Sequence, residues 1–170
     1  MQKPSADEYA IGYQKYFDLV SEGDYLSLLR QNSIETINFF EKIPDEKLAY
    51  KYASGKWTVK EVLMHIIDTE RVFSYRGLVA ARGDTNTPLY RMDEELYANN
   101  IDVSHRPLQS LISEFKAVRA STEHLFENLT EAQSKLQCNI VTHPMTARAI
   151  GYFLIGHIQH HLNIIEERYL

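Results

Sequence analysis

Residues 107–129, PLQSLISEFKAVRASTEHLFENL, set apolar side chains at Leu108, Leu111, Ile112, Phe115, Val118, Leu125, Phe126 and Leu129, with Thr122 keeping the register. Steps of three and four repeat along the whole stretch, which stacks these positions on one face of an α-helix. Pro107 suits the first turn, where its missing N–H costs nothing. A helix this long and one-sided has to bury its stripe, and the rest of the chain decides against what.

The neighbouring segments are helical too. From Pro144–Thr146 to the C-terminus, Ile150, Phe153, Leu154, His157, His161, Ile164 and Ile165 recur at helical spacing. Thr58-Val59-Lys60-Glu61 reads as a capping box, and it opens a helix of about 24 residues that ends near Gly83. Leu26, Leu29, Thr36, Ile37 and Phe40 mark a helix from about Tyr25 to Ile43, which Pro44 terminates. A short helix near Asp7–Val20 carries Tyr9, Tyr13, Tyr16 and Phe17 before Gly23-Asp24 breaks it. No segment alternates convincingly with period two, although Gln137–Thr142 suits a brief extended run. The expected architecture is all-α, a four-helix bundle with long crossover connections plus a short N-terminal helix. The connection from Gly83 to about Arg106 is long enough to cross the bundle end or to close over a site.

The 170 residues are 44% hydrophobic and 24% charged, which fits one globular domain and excludes a disordered tail or a low-complexity scaffold. Eighteen Lys and Arg against 23 Asp and Glu leave a net charge of −5, which argues against a protein that lives on nucleic-acid phosphates. The single cysteine, Cys138, sits in a polar connection and has no internal partner for a disulfide, so a reducing cytoplasm suits the chain. No window is apolar for the length of a membrane span.

Seven histidines in 170 residues yield roughly 0.3 pairs at i, i+4 by chance, so position matters more than spacing. With His157 at zero on the helical wheel, Phe153 falls at about −40°, Ile164 at about −20°, Ile150 at about 20°, His161 at about 40° and Leu154 at about 60°. Both imidazoles therefore occupy the middle of an apolar face, where charging both is expensive and every ring nitrogen needs a partner. A shared cation meets that need, and so do hydrogen bonds among core residues. His65, at the edge of the stripe made by Val59, Val62, Leu63, Ile66, Ile67 and Phe73, is the candidate third ligand. Three neutral imidazoles leave coordination positions open, as catalytic metal sites do.

Asp68, one turn after His65, is the candidate catalytic residue, able to orient a ligand or take a proton, and a solvated surface carboxylate is its plainer reading. Glu70 falls inside the apolar arc and needs a cation; Arg71, Arg76, Arg119 and Arg148 are the candidates, and a structural salt bridge is the expected outcome. His160 lies on the flank and is expected to support the site or face a neighbour rather than bind metal. Trp57 reads as packing at the bundle end. Nucleophile elbows, phosphate-cradling glycine loops and Cys-x-x-Cys are absent.

Gly55-Lys56-Trp57-Thr58-Val59-Lys60-Glu61-Val62, His65-Ile66-Ile67-Asp68-Thr69-Glu70-Arg71, Ala81-Arg82-Gly83-Asp84, Gly156-His157 with His160-His161, and Glu167-Arg168-Tyr169-Leu170 together resemble the DinB-like superfamily across nearly the whole chain. The resemblance implies a four-helix bundle with a long crossover, a homodimer, and one divalent transition metal ion, zinc or nickel foremost and iron or manganese next. Carried over position by position, its ligands are His65, His157 and His161. The family name refers to DNA damage but implies no DNA binding. Members with assigned activities include thiol transferases using bacillithiol and a mycothiol-dependent isomerase. The expected function is therefore a metal-dependent transfer of a low-molecular-weight thiol to an electrophilic small molecule. Metal-assisted hydrolysis and a non-catalytic metal- or ligand-binding stress module are the alternatives.

Overall fold

The computed structural model describes all 170 residues. Its four long helices are α2 (Tyr25–Glu41), α3 (Val59–Ala81), α5 (Leu108–Glu127) and α7 (Ala147–Arg168), accompanied by short helices α1 (Gln14–Phe17), α4 (Glu94–Asn99) and α6 (Glu131–Ser134). Each long helix begins where the sequence supplies a start. Asp24 accepts from Ser27 N–H at 3.0 Å, and the Thr58–Glu61 box closes with bonds of 3.1 and 2.6 Å. Pro107 is the N-cap residue of α5, and Thr146 accepts from Ala149 N–H at 3.2 Å to cap α7.

α3 packs on α5 and α7, and α2 packs on the same two, so α2 and α3 stand diagonally although they are consecutive. Residues 42–58 must therefore cross the bundle end, which explains the long first connection. No helix is long and apolar enough to cross a membrane.

Four details depart from the sequence reading or extend it. The helix expected over Asp7–Val20 is broken into 3-10 turns Ala6–Glu8 and Ile11–Tyr13 followed by α1. Its aromatic residues serve several walls at once: Tyr9 stacks on Phe17 at 4.0 Å, while Tyr13 sets its edge against Phe73 and Phe153. Residues 137–146 form an antiparallel hairpin, β1 (Gln137–Ile140) and β2 (His143–Thr146). Its tight turn lacks the Gly or Asn that usually announces one; Val141 takes φ 58° instead. Cys138, expected in a polar connection, is fully buried in β1, and burial pushes its thiol up to about 11. The connection after Gly83 is not structureless either, since Leu89 pairs with Ile140 and α4 follows.

The core divides into two clusters, one around Phe17, Tyr25, Leu29, Phe73, Phe126 and Phe153, the other around Phe40, Val62, Ile67, Phe115, Ile158 and Ile165. Buried polar residues stand between them on each long helix: Asn32, Glu70, Arg119 and His157. Among Glu70's four candidate partners the fold selects Arg119, whose Nε and Nη2 each donate to the carboxylate at 2.7 Å. Arg119 Nη1 donates to the Leu29 carbonyl and to Asn32 Oδ1, both at 3.2 Å. The expected salt bridge is thus a closed network holding three helices together.

The N-terminal segment is fastened to α7 at two places. Arg148 grips the Glu8 carboxylate with Nε at 2.6 Å and with Nη2; burial opposes ionisation, but this grip and the bonds from Ser5 and Thr146 hold Glu8 at about 2. Further along, the Tyr16 carbonyl lies so close to Gly156 that a Cβ there would stand 2.0 Å from its oxygen. Gly156→Ala is expected to lever the Tyr16 backbone off α7 at a cost of roughly 1–3 kcal/mol. Hydrogen exchange would report it as lost protection in residues 11–20; unchanged protection there would count against the contact.

Candidate metal centre

His65 is delivered by the second turn of α3, and His157 and His161 by successive turns of α7, so the contact between these two helices assembles the group. His65 Nε2 lies 3.2 Å from His157 Nε2, and His161 Nε2 lies 3.1 Å from the same atom. One nitrogen from each ring lies within 4.8 Å of the others. The juxtaposition that α-helical periodicity suggested for His157 and His161 is present, and His65 joins it from the neighbouring helix.

These rings carry no charge. Burial pushes His65 down to about 4, with His160 adding to the effect. Burial also holds His157 and His161 well below the usual imidazole range, and the other histidines reinforce it. Neutral imidazole is the form that ligates a metal. An imidazole nitrogen has one in-plane position, either an N–H or a lone pair, and His157 Nε2 faces two others. Hydrogen bonding satisfies only one of these contacts well. A cation between the rings satisfies both, and the 3.2 and 3.1 Å spacings at His157 Nε2 are close to the roughly 3.3 Å separating two nitrogens bonded to one tetrahedral ion at roughly 2.05 Å. The donor set therefore fits a divalent transition metal.

The surroundings include residues the sequence reading passed over. Trp57, expected only as packing, lays its ring 4.8 Å from that of His65. Thr69 Oγ1 is 3.5 Å from His65 Nε2. Tyr16 approaches His157 at 5.7 Å and His160 at 5.4 Å between ring centroids, so His160 packs beside the group on the flank where it was expected. Thr69 had a signal, one turn from His65 on the same face. Tyr16 had none, because its contacts join elements remote in sequence, and Trp57, just ahead of the α3 cap, folds back on His65 through a bend that no periodicity encodes.

His65 and His157 form part of the wall of a cavity of about 520 Å³. Tyr13, Tyr16, Phe73 and Phe153 give it aromatic sides, and Arg91, Met92 and Glu94 from the 82–107 connection line it together with hairpin residues from the 140–145 segment. Asp68 is not among the lining residues. It pairs with Arg71 at 3.5 Å, which also reaches Glu114 at 2.7 Å, and burial raises its carboxyl above the usual range although Arg71 opposes this. No hydrogen bond or ion pair joins Asp68 to the three rings.

Comparison with solved structures returns YfiT from Bacillus subtilis, described as a probable metal-dependent hydrolase with an unusual four-helix bundle topology. The TM-score is 0.72 at 20% identity, over 84% of this chain and 82% of that one. The DinB-like protein YjoA, also from Bacillus subtilis, aligns at TM-score 0.60 and 20% identity over 86% and 90%. At such identity the likeness is one of fold. Comparison with curated proteins returns no match. The sequence model of the DinB superfamily matches residues 28–165, from the first turn of α2 almost to the end of α7, and the chain belongs to that superfamily.

Proposed function

We propose that this protein is a divalent-metal-dependent enzyme that transfers a low-molecular-weight thiol to an electrophilic small molecule. The observation that carries the reading is the convergence of three neutral imidazoles, two of which, His65 and His157, stand in the wall of a cavity. His65, His157 and His161 would hold the ion, and three imidazoles suit zinc or nickel. When bound, such an ion supplies Lewis acidity, which favours the anionic form of a nucleophile beside it.

The protein's own side chains favour a thiol over water as that nucleophile. Glu94 is the one carboxylate lining the cavity, and Asp68 is engaged by Arg71. Activating water calls for a base beside it, whereas a thiol sheds its proton readily, the more so near Lys15, Arg76 and Arg91. In the proposed step a sulfur–carbon bond forms, the leaving group departs with its electron pair, and the thiol proton passes to solvent. Tyr13, Tyr16, Phe73 and Phe153 would hold the electrophile and exclude water.

Hydrolysis is the second reading, favoured by the description of YfiT. The test is a panel of low-molecular-weight thiols with a chromogenic aryl halide, run beside a panel of activated esters and amides. Thiol transfer that falls at least about tenfold on chelation is the expected result. Metal-dependent cleavage with a flat thiol panel would transfer the assignment to hydrolysis, and binding without turnover would make the protein a ligand-binding module.

A further inference from the structure

Three arginines of this chain are buried or nearly so, and two of them have carboxylate partners: Arg119 with Glu70 and Arg148 with Glu8. Arg76 has none, although only 3% of it is exposed. Its Nη2 donates to the Tyr90 carbonyl at 2.6 Å, and the guanidinium lies 4.4 Å from the Phe73 ring centre. The remaining N–H groups have no acceptor in the protein and are reached from the cavity that Arg76 lines. A buried cation without a counter-ion is expensive, and such a group invites an anion.

Its position says where that anion would sit. Arg76 follows His65 by eleven residues, which is three helical turns, so both stand on one face of α3 about 16 Å apart along the axis. Thr69 and Phe73 occupy the same face between them, and all four line the cavity. The cavity is thus a trough with the histidine group at one end and an unpaired guanidinium towards the other. Lys15 and Arg91 also line it, so three cations face the single carboxylate of Glu94, in a chain whose net charge is −5.

We propose that the cavity selects a substrate with an apolar body and an oxyanion, carboxylate or phosphate, and that Arg76 binds the oxyanion. This rests on reading the cavity as the substrate site, and it deepens the proposed function by naming a substrate class. A guanidinium offers paired donors to either anion.

The test uses the full chain stripped of metal with a chelator, so that no ion in the histidine group attracts the ligand and failure of the thiol reading leaves the outcome interpretable. The probes are 2-naphthoate, 2-naphthyl phosphate and the neutral 2-naphthamide, titrated by calorimetry. At least one anion is expected to bind roughly tenfold or more tightly than the amide, with the stronger anion naming the source. The ratio should fall to about one in Arg76→Gln and survive in Arg76→Lys. Because Arg76 also holds the Tyr90 carbonyl, the Arg76 Nε–H resonance of the unmutated protein is followed too, and it should shift with either tight-binding anion but not with the amide. No binding by either anion, equal affinity for anion and amide, a still resonance, or a preference that persists in Arg76→Gln would overturn the proposal.

Discussion

Replacing His157 with alanine is expected to lower bound metal from about one ion per chain to near zero, with affinity falling roughly 100-fold or more. The His157 Nε2 lies 3.2 and 3.1 Å from the Nε2 atoms of His65 and His161, so His157 makes the closest nitrogen contacts in the group. Its loss leaves two imidazoles, one from each helix, where the ion needs three protein ligands. His160→Ala is the control. That ring packs on Tyr16 and His161 and contributes no nitrogen to the cluster, so its removal should leave most of the metal bound. Elemental analysis of both variants, with circular dichroism to confirm the fold, decides the matter. Full stoichiometry in the His157 variant, or equal loss in the two, would remove His157 from the ligand set.

Truncating Glu70 to alanine should cost about 3–5 kcal/mol of stability, the range for removing one partner of a buried ion pair. Glu70 is completely buried, and its loss strands Arg119 Nε and Nη2 in a site only 1% exposed. For a domain of this size that is a drop in melting temperature of roughly 6–20 °C. Scanning calorimetry of the metal-free protein would measure it without interference from ligand binding. Replacing both partners with apolar residues of similar shape should cost far less than the single change, because no charge is then left buried. A Glu70→Ala variant that melts within about 2 °C of the parent would show that the network contributes little.

Some of this architecture was legible because helices are local. The three- and four-residue steps, the Thr58–Glu61 box and the breaks at Pro44 and Pro107 act over a few residues, and the four long helices appear near where those signals put them. The i, i+4 relation of His157 and His161 is equally local, so one backbone conformation is enough to bring them together. The hairpin was harder to see, since its turn uses Val141 and its strands are four residues each, too short for alternation to stand out.

What the residues determined by themselves was thus a set of amphipathic helices, a pair of imidazoles on one apolar face, and a buried carboxylate that needed a cation. Only tertiary packing decided that α3 lies against α7 and turns His65 into the pair, that Arg119 rather than three other arginines meets Glu70, and that Arg76 is left without a partner in the cavity. The physical reason is that a side chain's environment on its own helix follows from a repeat of 3.6 residues. Its neighbours across the bundle follow from how helices and connections share one core, and no periodicity encodes that.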